Sequence, residues 1–480
     1  MSYQEPKTTD YGVNACKSCF EKQRVIDRQL EEIQRLKQKL NVNQRKATNG
    51  FFGSSTPSSQ IPVKANAVTE NQARKGGAVI GHRGVGRQVF SSIEADEMRC
   101  AAVEIETCQT CHCRLSRQSS NERAIYEIER ERVKKIYYEI ERKACPRCRK
   151  IVSGKVASAM PRAALSNKLV IEVAEQHYLL GRTLGQIAER FGINYSTLCE
   201  SLKRVGKKLE PSVERLKADY RAALVRHADE TGWRTDGSSG YSWYFGSKEV
   251  SLHLFRETRS ASVTKEVFGS EPLSGVLVVD RYNGYNRVPC DIQYCYAHLL
   301  REMKDLASEF EASEEVKNYT QAMKVQLTDA MQLRKRGLSE AEYRKQATEI
   351  KEKILELSQR QAKHAAIRKW QDFFVEKEAR LYQWCQSQEI PAENNYAERE
   401  IRKTVIARKM SYGSQSQAGA KTREIWTSIL QSLKKREENP RDKLVTALNQ
   451  LSQNENLDIT TELFGVQSFE VVKNQSLTFH

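Results

Sequence analysis

Val276-Leu277-Val278-Val279-Asp280-Arg281-Tyr282-Asn283-Gly284-Tyr285 is the stretch on which the fold turns. Four apolar residues in a row read as a strand, and an aspartate closes it. Working outward, the chain from about residue 224 alternates with period two. Leu224-Val225-Arg226-His227-Ala228-Asp229 opens a strand that ends near Arg234. Tyr241-Ser242-Trp243-Tyr244-Phe245 and Ser251-Leu252-His253-Leu254-Phe255 form a hairpin around Gly246-Ser247-Lys248-Glu249. A short helix from Ser260 to Phe268 leads into the strand that Asp280 closes.

Three antiparallel strands, a helix and a strand able to run parallel to the first match the opening of an RNase H-like fold. In that topology Asp229 and Asp280 converge, and converging carboxylates repel unless a cation neutralises them. Hard oxygen ligands suit Mg²⁺ or Mn²⁺. Two such ions roughly 4 Å apart can activate an attacking hydroxyl and stabilise a leaving oxygen in an in-line displacement at phosphorus. A solvated surface acid is the plainer reading of any one of these residues. A third acid is expected at Glu398, in Asn394-Asn395-Tyr396-Ala397-Glu398-Arg399, at the head of a basic helix. Glu393 and Glu400 compete for the role. Helical spacing puts Glu398 and Arg402 on one face, beside Arg399 and Lys403, and Arg402, Lys403, Arg408 and Lys409 are placed to grip phosphates. In Cys295-Tyr296-Ala297-His298-Leu299-Leu300-Arg301, a strand-to-helix segment, His298 is read as contacting phosphate, orienting a carboxylate or serving structure. Between the halves of this core, 307–390 is almost unbroken charged helix, with Ile354, Leu357, Ile367, Trp370, Phe374 and Trp384 as its buried residues. A capping box of Ser339 and Glu342 starts one of these helices. Gly413-Ser414 to Gly419-Ala420-Lys421 is a loop or helix start near the polyanion.

Upstream, Cys108-Gln109-Thr110-Cys111 and Cys145-Pro146-Arg147-Cys148 are two knuckles that can offer four thiolates to one tetrahedral Zn²⁺. Ala124–Ile128 and Val133–Ile140 between them read as short strands, giving a zinc ribbon; free buried thiols are the alternative. Cys100 and Cys113 are competing ligands, and Cys16/Cys19 is a lone pair. From Thr183 to Leu198 the chain reads as a helix-turn-helix. Thr183 and Gln186 form a capping box, and Leu184, Ile187, Ala188 and Phe191 give a buried face. Gly192 makes the turn, Ile193 plugs the corner and Asn194 caps the second helix. Tyr195, Ser196 and Thr197 then face a major groove, unless the pair is a generic helical hairpin. The 78 Lys and Arg exceed the 61 Asp and Glu, a formal charge of +17 that suits a polyanionic partner. No run approaches the roughly 20 apolar residues of a membrane span, and the polar start holds no apolar signal core, so no membrane association and a cytoplasmic, nucleoid-associated location are expected. Ile26, Leu30, Ile33, Leu36 and Leu40 give residues 20–42 a helical stripe of about three heptads, a self-association element or a helix packed on its own protein.

In the combination of these motifs the chain resembles the transposases of the insertion-sequence sixty-six family. The resemblance rests on Asp229-Glu230-Thr231, Asp280 to Tyr285, Cys295-Tyr296-Ala297-His298, Asn395-Tyr396-Ala397-Glu398-Arg399 and Arg408-Lys409, with Gly81-His82-Arg83-Gly84 and the cysteine pairs upstream. It implies a DDE triad of Asp229, Asp280 and Glu398, a helical insertion before the glutamate, and binding to the terminal inverted repeats of a mobile element. Double-stranded DNA, both element ends and target, is then the partner; a homodimer and accessory proteins of the same element are further expectations. Leu300 departs from the pattern, since many members carry Arg after the histidine. The fold class expected is multidomain α/β. Residues 1–45 form an N-terminal helix with coiled-coil spacing, 46–99 a basic flexible linker, 100–152 the zinc ribbon and 160–215 the helix-turn-helix. The RNase H-like core occupies 220–306 and 392–455, split by the helical insertion at 307–391, and 456–480 is a C-terminal tail. A non-catalytic DNA-binding protein derived from a transposase, and a structure-selective nuclease, are the competing functions.

Overall fold

The computed structural model describes residues 90–129 and 132–466, together with Gln29, Glu31 and Glu32, which are helical. The chain divides into two units, Met1–Asn66 and Ala67–His480, and both sheets and the helices from Asn167 onward lie in the second. The heptad stripe, Cys16/Cys19, Gly81-His82-Arg83-Gly84 and most of the expected linker lie outside the described residues.

A first sheet holds β1 (Glu97–Ala101), β2 (Ser116–Glu129), β3 (Arg132–Ala144) and β4 (Ile151–Ser153). β2 and β3 pair antiparallel from Ser116↔Ala144 to Glu129↔Arg132, and β1 runs parallel to β3. This sheet corrects two expectations. The hairpin strands are 14 and 13 residues long, not short. Alternation marks only the part that packs: Ile125, Ile136 and Tyr138 are buried with Val156 and Ala159, whereas Ser116–Asn121 is solvated, and its polar residues hide the strand. The linker's last ten residues are built into the fold as well. Phe90 is buried edge-on against Tyr126, with ring centroids 4.9 Å apart, and β1 begins at Glu97.

Four helices follow. α1 (Asn167–Ala174) runs on into a π-helical turn at Glu175–Leu179, then come α2 (Leu184–Phe191), α3 (Tyr195–Leu209) and α4 (Pro211–Ala222). The Thr183/Gln186 capping box forms, and Gly192 takes the left-handed conformation (φ 62°) that lets the chain leave α2. Asn194 Oδ1 accepts the Ser196 amide at 2.9 Å and opens α3. Ile187, Phe191, Ile193 and Leu198 are buried at the crossing, while Leu184 and Ala188 are only half-buried because they sit at its rim.

A second sheet has the order β7-β6-β5-β8-β9, made of β5 (Val225–Thr235), β6 (Ser238–Gly246), β7 (Ser251–Arg256), β8 (Val276–Val279) and β9 (Asp291–Tyr294). β5, β6 and β7 are antiparallel, α5 (Ala261–Phe268) crosses over, and β8 pairs parallel to β5 with His227↔Val278 in register. Next come α6 (Tyr296–Glu309), α7 (Glu314–Leu333), α8 (Glu340–Gln359), α9 (Ala365–Glu376) and α10 (Glu378–Leu381). α11 (Asn395–Ser411), α12 (Gln417–Arg436), α13 (Pro440–Gln453) and α14 (Ile459–Phe464) close the described chain. The Ser339/Glu342 capping box forms at the head of α8. Trp384 is fully buried and donates from Nε1 to Tyr296 Oη at 2.9 Å. Trp370 is only half-buried, with the Arg281 guanidinium over its ring at 5.2 Å. The expected C-terminal tail is corrected too: Ile459 and Leu463 of α14 are buried in the main core.

The open edge at β7 is closed by a helix. Glu424 Oε2, Ser428 Oγ and Ser432 Oγ accept the amides of Phe255, His253 and Ser251, at 3.3, 2.9 and 3.0 Å. Four residues of helix rise about 6 Å and two of strand about 6.7 Å, so a polar row on α12 matches alternate amides of β7 running the other way. At the far end of β5, Ser414 donates its amide to Arg234 O at 2.8 Å, and Gly413 (φ 130°) fits there because a Cβ would come within 2.3 Å of that oxygen.

Candidate active site

Asp229 lies mid-strand in β5, and its Oδ1 accepts the amide of Glu230 at 2.9 Å. Asp280 follows β8 directly, and its Oδ1 accepts the Tyr282 amide at 2.9 Å, which fixes the carboxylate at the start of the turn. The parallel register brings the two side by side. Burial pushes the Asp229 carboxyl up to about 8, and the charges of Glu230, Asp280 and Glu398 push the same way. Asp229 thus feels all three other acids, although the carboxylates of Asp229, Asp280 and Glu398 are not all gathered within 4.8 Å of one another. Glu230, which sequence reading used only as a motif letter, is raised by burial as well. It accepts from Arg259 Nε at 2.8 Å and from Tyr285 Oη.

Glu398 stands in the first turn of α11, and its Oε1 accepts from Arg301 Nη2 at 2.9 Å, with His298 Nδ1 at 3.9 Å. Its competitors point elsewhere. Glu400 pairs with Lys403 at 2.8 Å, and Glu393 is half-buried and raised by burial, against which the charge of Arg334 acts most. Neither figures among the charges acting on Asp229.

Asn394 is the residue that motif reading left without a role. Its Nδ2 donates to Ala228 O at 2.8 Å, and its Oδ1 faces His227 Nδ1 at 2.9 Å. An amide oxygen only accepts, so Nδ1 carries the proton; burial pulls the His227 pKa down to about 4 and keeps the ring neutral. The Asn394 amide donates to Cys295 Sγ at 3.1 Å. One buried side chain thus ties the head of α11 to β5, one residue before Asp229.

Of the expected DNA contacts, Tyr195 and Ser196 are exposed and Thr197 half-buried at the head of α3, while Arg399, Arg402, Lys403 and Lys409 are exposed on α11. Arg408 is corrected. It is buried and donates from Nη1 to Thr231 Oγ1 at 3.0 Å and to Gly232 O, so it fastens α11 to β5 instead of reaching for phosphate.

The four ribbon cysteines converge. Cys108 and Cys148 Sγ lie 3.4 Å apart, Cys111 and Cys145 Sγ 3.2 Å, and all four sulfurs lie within 4.8 Å of one another, a set that fits tetrahedral zinc. The two knuckles repeat one backbone pattern. His112 and Arg149, both left-handed (φ 55° and 56°), donate to Cys108 O and Cys145 O, at 2.8 and 2.9 Å. Cys108 and Cys145 donate in turn to Cys113 O and Lys150 O, both at 2.9 Å. Backbone amides of Thr110 and Cys111 pull the Cys108 thiol down to about 6, favouring the thiolate a metal needs. Cys113 thus serves through its backbone and Cys100 is exposed on β1; neither joins the cluster.

A family model described as transposase IS66 family matches residues 158–422, more than half of the chain, and the chain belongs to that family. The match spans α1 to the first turns of α12, and so includes Asp229, Asp280 and Glu398. No curated protein matches the chain. Membership implies a transposase that handles DNA. Among the described residues, no helix is long and apolar enough to cross a membrane.

Proposed function

We propose that this chain is a DDE transposase that binds the terminal inverted repeats of an insertion sequence and cuts and joins DNA at a metal centre held by Asp229, Asp280 and Glu398. The observation that carries the reading is the parallel β5–β8 register, which sets Asp280 at the end of β8 beside Asp229 on β5, with burial and the charges of Glu230, Asp280 and Glu398 raising the Asp229 carboxyl. Acids gathered at such a cost are explained by a cation. The sheet order, with β8 parallel to β5 and the acids at the mouth of that pair, supports an RNase H-like core.

Carboxylate oxygens suit Mg²⁺ or Mn²⁺, and such an ion, when bound, supplies activation of a hydroxyl and stabilisation of a leaving oxygen. The chain's own groups do the rest. Asp229 and Asp280 are fixed by β5 and by the turn after β8, and Glu398 is delivered by α11, which Asn394 and Arg408 pin to β5. Exposed Arg402, Lys403 and Lys409, with Arg399, grip the phosphate backbone, and Tyr195, Ser196 and Thr197 enter the major groove as the second helix of a helix-turn-helix. The reaction is two in-line displacements at phosphorus. Water first breaks the P–O3′ bond at the element end and frees a 3′-hydroxyl. That hydroxyl then attacks a target phosphate as the target's own 3′-oxygen departs.

The test is cleavage and strand transfer on labelled element-end DNA, wild type against Asp280→Asn, with Mg²⁺, with Mn²⁺ and with EDTA. Metal-dependent cleavage lost in the variant is expected. Equal end binding by both with cleavage by neither would replace this reading with the non-catalytic DNA-binding one. Asn394→Ala should weaken Mn²⁺ binding about 10–100-fold, the usual cost of removing a partner that orients a ligating group. It should raise the Mn²⁺ concentration that half-saturates cleavage more than it lowers the maximal rate, a split that mere loss of stability does not produce.

A further inference from the structure

A second cluster of metal-ligand atoms sits beside the three acids and uses one of them. Cys295 is the residue just before α6 and follows β9 directly; its amide donates to Val279 O at 2.8 Å, which sets it next to Asp280. His298 stands three residues on, so both side chains share one face of the first turn of α6. Glu398 arrives from α11. The ligand atoms of Cys295, His298 and Glu398 all lie within 4.8 Å of one another.

The Cys295 sulfur is buried and accepts the Asn394 backbone amide at 3.1 Å. His298 Nδ1 is buried with no hydrogen-bond partner among the described residues, an orphan that needs an explanation. It faces Glu398 Oε1 at 3.9 Å. Around an ion with ligands at 2.0–2.3 Å, tetrahedral neighbours stand about 3.3–3.8 Å apart. The His298–Glu398 pair is already near that spacing at 3.9 Å, and the 4.8 Å span of the cluster closes with side-chain shifts of up to about 1 Å. Arg301, one turn further along α6, holds the same carboxylate at 2.9 Å and keeps it over the cluster.

We propose that Cys295, His298 and Glu398 form a three-ligand site for a borderline divalent ion, Zn²⁺ first, and that filling it withdraws Glu398 from Asp229 and Asp280. One thiolate and one imidazole discriminate against Mg²⁺, which prefers oxygen, and favour Zn²⁺ or Co²⁺. The site differs from the ribbon in having three protein ligands, which leaves a fourth position open. The second clause rests on the metal-dependent reading of the three acids: Glu398 Oε1, turned toward His298 and Arg301, is drawn further from Asp229 and Asp280 when it closes on an ion held by Cys295 and His298, so Zn²⁺ opposes Mg²⁺-supported cleavage.

Co²⁺ is the probe, because its thiolate charge-transfer band counts sulfur-bound ions without any activity. Full-length protein, stripped and reloaded, should take up two thiolate-bound equivalents, one per cluster. Cys295→Ser and Cys145→Ser should each show one. His298→Ala, half-exposed and therefore easy on the fold, should lower affinity at the second equivalent more than about tenfold, the least that loss of even an outer partner costs. Asp280→Asn should keep both. A single equivalent in the wild type, or two in Cys295→Ser, overturns the site. With cleavage as a second readout, the Zn²⁺ concentration that halves the rate, taken relative to each form's zinc-free rate, should rise more than about tenfold in His298→Ala. An unchanged value overturns the competition. If no form cleaves DNA, the catalytic reading and with it the competition fall, while the Co²⁺ count still decides the site.

Discussion

Asp229→Asn is expected to lower metal-dependent strand cleavage about 10³-fold or more, beyond the 10²–10³-fold of a single oxyanion donor, because it removes a metal ligand from the centre of the site. The same variant should be more stable than wild type at pH 8 in EDTA. The sign follows from the proton. Asp229 is pushed from 3.8 to about 8 in the folded chain, first by burial and then by Glu230 and Asp280. Between those pH values the native protein holds a proton that the unfolded chain has released, so stability falls as pH rises through that window and levels off above about 8. Asparagine imitates the protonated acid and abolishes that fall. A divalent ion must displace the proton below about pH 8, so Mn²⁺ affinity should climb about tenfold per unit between pH 6 and 8 in wild type. Mn²⁺ titrations at three pH values, with melting curves in EDTA, read both effects. Cleavage by Asp229→Asn at the wild-type rate, or an affinity indifferent to pH, would sink the assignment.

What could be read from the residues, and what could not, divides by physical cause. The strand before Asp280 was legible because Val276 to Val279 are apolar without interruption, and all four are buried. The α2 and α3 boundaries were legible because Thr183, Gln186, Gly192 and Asn194 act within a few residues of themselves. The closing of the β7 edge was not. Glu424, Ser428, Gln431 and Ser432 look like the solvated side of a helix, yet all are buried, since their partners lie on a strand about 170–180 residues earlier. Arg408 misled for the converse reason. A basic residue in a basic helix reads as a phosphate ligand until the fold turns it onto Thr231 and Gly232. Asn394 needed both β5 and Cys295 in place before its two amide bonds had any meaning. Long polar strands such as Ser116–Glu129 escape for want of any apolar alternation over half their length.

Cys145→Ser should empty the ribbon and unfold it locally, with the rest of the second unit intact. The core at that end is small. Val103, Cys108, Leu115 and Cys145 are its buried members, with Ile105, Cys111, Cys113 and Val152 half-buried around them, so three of the four cysteine ligands are also core residues. A cluster of that size cannot offset the ordering of two left-handed knuckles, whereas structural zinc contributes about 10–16 kcal/mol. The helices and the second sheet belong to a separate, much larger core. Proteolysis in the variant should therefore cut between 103 and 152 and spare the segment from 167 to 466. Recognition of element ends should weaken while cleavage, once DNA is bound, persists, because Asp229, Asp280 and Glu398 stand on elements the ribbon does not hold. Zinc content that stays at the wild-type level, or cuts spread through α6 to α11, would mean that the four thiols are a packing cluster and that the sulfur contacts at 3.2 and 3.4 Å need no ion.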